Sequence, residues 1–251
     1  MKQAPILITT GEYESMIQEY IDENLTEDGT VYILGGSAAV AETFEKGLAE
    51  TNTVKRLKGS NRYGTNLEIL KEAGVADEDI LVCTGLDFAD SLSASALGKP
   101  ILLVSDTLSD AQEEFLEGLG KDNKIYIIGG SAAVSSDLAA EISAFGTTER
   151  ISGKTRLETS TKLAEQFFSA PTSAVLAYAR NFPDGLCGGA LAYALKAPLV
   201  LTQTDSETAA AAYAKDNAIT RGYVLGGAKL ISDASARTIF QAEADAPVTL
   251  K

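Results

Sequence analysis

The chain repeats itself, and that restricts its possible architecture more than any other feature. Val31-Tyr32-Ile33-Leu34-Gly35-Gly36-Ser37-Ala38-Ala39-Val40 recurs as Ile125-Tyr126-Ile127-Ile128-Gly129-Gly130-Ser131-Ala132-Ala133-Val134. A weaker third copy is Tyr223-Val224-Leu225-Gly226-Gly227-Ala228. Gly36, Gly130 and Gly227 are 94 and 97 residues apart. Other phrases keep this period. Pro5-Ile6-Leu7-Ile8 matches Pro100-Ile101-Leu102-Leu103 and Pro198-Leu199-Val200-Leu201. Arg56-x-x-Gly59-x-x-Arg62-x-x-Thr65 matches Arg150-x-x-Gly153-x-x-Arg156-x-x-Thr159, and Phe88-Ala89-Asp90-Ser91-Leu92 matches Phe182-Pro183-Asp184-Gly185-Leu186. A period of this length exceeds the ~20–45 residues of solenoid repeats. It is long enough for each unit to build a modest core of its own.

The phrases divide the chain into an incomplete unit, 4–52, holding only the second half of a repeat, and two complete units, 53–147 and 148–246. The last has a degenerate end, since its Gly226-Gly227-Ala228 phrase lacks the Ser of the other copies. The absent first half reads as removed from a longer chain, with a naturally short version as the alternative. Within a unit, short apolar runs such as 80–83, 101–104 and 125–128 read as strands buried on both faces. Leu108, Ala111, Gln112, Phe115, Leu116 and Leu119 fall at helical spacing, as do Tyr13, Met16, Ile17, Tyr20 and Ile21, and Leu157, Ser160, Leu163, Ala164 and Phe167. Alternating strands and helices predict parallel sheets covered by helices, joined by right-handed crossovers. The expected fold class is α/β, with tandem Rossmann- or flavodoxin-like subdomains that pack against one another.

Composition narrows the function. The 251 residues carry 35 acidic and 21 basic side chains, for a net charge of −14. That opposes nucleic-acid binding, which needs a basic footprint, and electrostatic docking on anionic membranes. No run approaches the ~20 apolar residues of a membrane span. Residues 1–10 lack the apolar core and cleavage site of a signal peptide, so the chain is either cytoplasmic or a part of something longer. There is no histidine, which removes the commonest general base and metal ligand. Cys83 and Cys187 have no metal spacing and sit in apolar surroundings, so two buried thiols are expected. No cofactor or metal is implied.

Three motifs bear on binding. Gly35-Gly36-Ser37 and Gly129-Gly130-Ser131 follow a strand and are expected to open a helix. There the free amides and the helix dipole form an anion site, or Ser37 and Ser131 simply cap the helix. Arg62 with Thr65, and Arg156 with Thr159, lie at a helix entry, where a guanidinium grips a phosphate or carboxylate. The other reading pairs each Arg with Asp90 or Asp184 of its own unit. Asp90 and Asp184 suit a helix N-terminus. Neither makes a catalytic dyad, because Asp87 beside Asp90 becomes Asn181 in the next copy.

Taken in their fixed order, these phrases resemble the cell wall binding repeat 2 family of surface proteins from clostridia and related Gram-positive bacteria. The resemblance covers essentially the whole chain in two and a half copies. It implies a secreted, non-catalytic module in which three units form a pseudo-threefold arrangement. Such modules hold an effector domain, elsewhere in a longer parent chain, on the cell wall at the cell surface. They do so by binding an anionic secondary polymer, teichoic-acid-like or polysaccharide. At −14 the chain repels such a polymer at long range, so the grip would come from local positive pockets around Arg62, Arg156, Lys154 and the Gly-Gly amides. Two other readings stay open: an adhesive surface domain with no polymer ligand, and a phosphosugar- or nucleotide-binding enzyme.

Overall fold

A computed structural model describes residues 4–76, 78–120 and 122–242. The end expected for the last unit, 243–246, and the residues after it lie outside the described residues. The chain divides into two compact units: residues 6–75, and residues 76–251 with 1–5.

The smaller unit contains α1 (Glu14–Asn24), β1 (Thr30–Leu34), α2 (Glu42–Leu48), β2 (Thr53–Leu57) and α3 (Arg62–Ala73). Its sheet is the parallel pair β1–β2. Ile21, Ile33 and Leu48 are the buried residues of its core, with Ile17, Leu25, Val31, Val40, Phe44 and Val54 packed around them. The strand expected at Ile6-Leu7-Ile8 does not form, and all three side chains are exposed. The reason is visible in the complete modules, where the equivalent strand pairs only with the first strand of its module. The smaller unit has no such strand to offer it.

The larger unit holds two modules. The first comprises β3 (Ile80–Thr84), α4 (Ala89–Ala94), β4 (Ile101–Val104), α5 (Asp110–Gly118), β5 (Lys124–Ile128), α6 (Ser136–Ile142) and β6 (Thr147–Ile151). The second comprises α7 (Arg156–Phe167), β7 (Ala174–Tyr178), α8 (Pro183–Leu186), α9 (Gly188–Leu195), β8 (Leu199–Thr202), α10 (Thr208–Asp216), β9 (Gly222–Val224) and α11 (Asp233–Phe240). Their sheets run β4-β3-β5-β6 and β8-β7-β9, all parallel. This 2-1-3 order is that of flavodoxin-like folds. β6 completes the sheet of the preceding module and α7 opens the next, so the sheet continues across residue 147. A sequence period gives a repeat's length but leaves its phase open.

The two modules share a core. Ala89, Leu92 and Ala96 of the first are buried with Val175, Ala177, Ala192 and Leu199 of the second. Small residues allow this approach. A Cβ on Gly189 would lie 2.0 Å from Ser95 Oγ, and one on Gly185 would lie 2.8 Å from Leu92 Cδ2. Because α9 turns Gly188 and Gly189 inward, Cys187 is exposed while Cys83 is buried. That corrects the expectation of two buried thiols.

Candidate functional site

The Gly-Gly loops are built alike in every copy. Gly35, Gly129 and Gly226 have φ of +115°, +105° and +92°, a region where a side chain is strained. Gly35 N–H donates to Leu57 O and Gly129 N–H to Ile151 O. The carbonyl of the second glycine then accepts the amides of Ala39 and Val40, or of Ala133 and Val134, closing a turn. The next helices begin only at Glu42 and Ser136.

The loop therefore does not open a helix, and Ser37 and Ser131 are not caps. The observed cap on α6 is Ser135, accepting from Leu138 N–H, and on α11 it is Ser232, accepting from Ser235 N–H. Ala41 precedes α2 without a side-chain cap. The amides of Ala39 and Val40, and of Ala133 and Val134, are used within the turn, and the Gly35 and Gly129 carbonyls face a cation. Arg150 donates from Nη1 to Gly129 O at 2.7 Å and from Nη2 to Val134 O at 2.8 Å. Arg56 does the same to Gly35 O at 2.8 Å and Val40 O at 2.9 Å, and its Nε donates to Glu45. The first Arg of each phrase is thus a strut for the loop, a role not foreseen from the sequence.

The remaining motif residues lie around this frame. Arg62 and Arg156 are the first residues of α3 and α7. Thr65 and Thr159 accept the amides of Gly59 and Gly153 at 3.0 Å, fastening the loop to the helix. Asp90 and Asp184 lie over the Gly-Gly loops of their own modules: a Cβ on Gly129 would meet Asp90 Oδ2 at 2.3 Å, and one on Gly226 would meet Asp184 Oδ2 at 2.4 Å. Burial, and then the neighbouring Asp87, push the Asp90 carboxyl up to about 6 against the opposing pull of Arg156.

Arg156 does not pair with Asp184 of its own module. Its Nη2 donates to Asp87 Oδ2 of the preceding module at 2.8 Å, its Nη1 donates to Ala179 O at 3.0 Å, and its guanidinium lies 5.5 Å from the Phe88 ring centroid. Phe88 in turn meets Phe182 at 5.7 Å between centroids. Asp184 lies instead over the Gly226 loop, while Asp87 follows β3 in the turn and reaches Arg156. Asp87 and Asn181 both accept the next residue's amide through Oδ1. The copies therefore share a turn-forming acceptor, and the charge at 87 serves Arg156.

Beside Arg156, a cleft of ≈ 570 Å³ opens at the carboxyl ends of β7 and β8. It is lined by Thr155, Arg156 and Leu157 at the start of α7, Ala179 and Arg180 beyond β7, and Gln203 and Ser206 beyond β8. Two guanidinium groups line it and no carboxylate does. Arg180 Nε donates to Gln203 Oε1 at 2.7 Å, and Gln203 Nε2 donates to Ser206 Oγ at 3.1 Å. Arg180, Gln203 and Ser206 were not anticipated. They differ from their counterparts in the first complete module, where Leu86 and Ser105 align with Arg180 and Gln203. A search for what the copies share passes over them. Among the described residues, no cluster of three or more potential His, Cys, Asp or Glu ligands is placed to hold a metal ion. No described helix is long and apolar enough to cross a membrane.

Comparison with known proteins agrees with this architecture. The chain is 30% identical over 239 residues to an amidase enhancer of Bacillus subtilis (strain 168), covering 91% of this chain and 32% of that protein. It is 33% identical over 191 residues to the N-acetylmuramoyl-L-alanine amidase LytC of the same strain, covering 72% of this chain and 38% of the relative. The chain thus spans about a third of the length of these relatives. Cwp8 from Clostridium difficile superposes with a TM-score of 0.76 at 25% identity, over 86% of this chain and 38% of that one. Cwp6 from Clostridium difficile has the same fold, with a TM-score of 0.77 at 23% identity, over 98% of this chain and 41% of that one. The sequence profile of cell wall binding domain 2 (CWB2) matches residues 56–139 and 150–236, and with two matched copies set on this repeated parallel α/β frame, the chain belongs to the cell wall binding domain 2 family.

Proposed function

We propose that the chain is a non-catalytic, extracellular anchoring module that holds its parent protein on the cell wall by non-covalent binding of an anionic wall polymer. The observation that carries this reading is the cleft beyond β7 and β8. On a chain of net charge −14, its lining contains Arg156 and Arg180 and no acidic residue. Long-range repulsion of a polyanion decays over about 8–10 Å at ordinary salt, so local guanidinium charge, above all that of the exposed Arg180, governs the short-range interaction. The cleft volume also falls in the ~300–1,000 Å³ range of small-ligand sites. The family profile and the Bacillus and Clostridium relatives support a wall ligand.

The repeated motif residues contribute to this surface mostly by holding it. Arg150 fixes the Gly129 loop, Thr159 fixes the loop before α7, and Arg156 joins two modules at the cleft's edge. The test is retention of the purified chain on deproteinated Gram-positive walls, before and after extraction of their anionic polymers. Retention that vanishes on extraction is the expected result. Retention that survives extraction would assign the ligand to the peptidoglycan, and no retention would remove the anchoring reading for that wall.

A further inference from the structure

We infer that Arg180 is the anion contact of this module, holding a phosphate or carboxylate group of a glycan in the cleft beyond β7 and β8, whereas Arg156 positions the cleft's edge. This inference rests on the anchoring reading above and assigns the contact within it.

The two guanidinium groups are in different states. Arg156 has one Nη on the Asp87 carboxylate and the other on the Ala179 carbonyl, so its charge is offset and each Nη already makes a bond. Arg180 is exposed and uses Nε on the neutral Gln203 amide, and among the described residues neither of its Nη groups has a hydrogen-bond or ion-pair partner. The Gln203 contact matters because holding a long side chain in one geometry costs conformational entropy. Here Ser206 braces Gln203 and Gln203 braces Arg180 before any ligand arrives. A guanidinium fixed through Nε presents its two Nη edges outward, a fork suited to two oxygens of one anion. The Ser206 hydroxyl and Gln203 amide beside it suit sugar hydroxyls. Asp205, between them in the chain, does not line the cleft.

The first complete module has no counterpart to this device, since it has Leu86 where the second has Arg180 and Ser105 where the second has Gln203. The copies therefore differ in ligand chemistry while sharing a frame.

The closing experiment has two independent readouts. Arg180→Leu, which installs the side chain found at the equivalent position of the first complete module, and Arg180→Lys are compared with the unaltered chain for affinity to deproteinated walls. In parallel, the Arg Nε–Hε resonances are followed by NMR as glycerol 3-phosphate or glucuronate is added. Because Arg180 is exposed, both variants are expected to keep the parent circular dichroism and melting temperature. Arg180→Leu should weaken wall binding about tenfold, the size of one lost charge-assisted contact, and Arg180→Lys should weaken it less. The Arg180 resonance should move with one of the two anions, which identifies the group as phosphate or carboxylate. Unchanged wall affinity in Arg180→Leu overturns the inference and leaves the anchoring reading intact. If the unaltered chain is not retained on walls, the anchoring reading fails, and the titration decides the inference alone. An Arg180 resonance unmoved by both anions overturns it.

Discussion

Residues 30–34 and 124–128 share one sequence pattern and meet different fates. β5 lies inside a four-stranded sheet, and Ile125, Tyr126, Ile127 and Ile128 are all buried. β1 pairs with β2 alone, and only Ile33 is buried. The difference comes from the missing neighbour and not from the strand itself. In the complete module β3 lies between β4 and β5 and satisfies backbone groups on both. In the smaller unit, Ile6, Leu7 and Ile8 stay outside any strand, and Tyr13, Met16, Tyr20 and Leu34 are exposed. A buried-strand sequence thus specifies a potential that only its partners realise.

The largest expected effect contrasts equivalent positions in these two strands. Ile128 is fully buried, whereas its counterpart Leu34 is 48% exposed. Ile128→Ala should destabilise the larger unit by about 2–5 kcal/mol through lost burial and a residual cavity. Leu34→Ala should cost less than about 1 kcal/mol. Urea unfolding monitored by hydrogen exchange, which resolves the two units, measures both. Equal losses would show that β1 is covered as fully as β5 and would break the comparison.

A second contrast concerns the loops after those strands. Both first glycines have positive φ, so alanine is strained at either. At Gly129 a new Cβ would also meet the Asp90 carboxylate at 2.3 Å, whereas at Gly35 its nearest neighbour is Ala39 Cβ at 3.3 Å. Gly129→Ala should therefore cost about 3 kcal/mol and Gly35→Ala about 1 kcal/mol. Thermal melts of the two variants check this, with Gly130→Ala as a near-neutral control, because nothing lies within 4 Å of its Cβ.

Much of the frame was legible in the sequence because burial and repetition both leave patterns. The apolar runs 80–83, 101–104 and 125–128 are strands, and the spacing of Leu157, Leu163 and Phe167 marks α7. The legible pattern failed where a residue's state depends on partners distant in sequence. Ile6-Leu7-Ile8 reads like β4 but forms no strand among the described residues. Cys187 has apolar neighbours in sequence, yet the inward face of α9 is occupied by Gly188 and Gly189. The Gly-Gly loop read as either an amide cradle or a Ser-capped helix start, and only the Arg56 and Arg150 contacts show that the Gly35 and Gly129 carbonyls meet a guanidinium. The candidate site was the least legible part. Repetition directs attention to what the copies share, and among the shared residues Arg56, Arg150, Thr65 and Thr159 hold loops. The cleft is made distinctive by Arg180 and Gln203, at positions where the copies differ.

The smallest expected effect probes Asp90, a carboxylate for which the Gly35 loop has no partner within its own unit. Its carboxyl is raised from an ordinary 3.8 to about 6, first by burial and then by Asp87. A raised carboxyl pKa means that the folded chain binds this proton more tightly than the unfolded chain. The contribution is therefore favourable at low pH and is lost as pH rises from about 4 to about 6. Because Asp90 is only partly buried, solvent screening reduces the cost to about 1–2 kcal/mol at neutral pH. Asp90→Asn keeps the shape over Gly129 and removes the charge. It should stabilise the larger unit by about that amount at pH 7, have little effect at pH 4, and flatten the stability profile between them. Stability measured by urea unfolding across this range gives the sign directly. A variant less stable than the parent at pH 7 would mean that the Asp90 charge is needed where it lies, held by Arg156. The two complete modules would then be joined by a carboxylate pair acting on one guanidinium, and not by Asp87 alone.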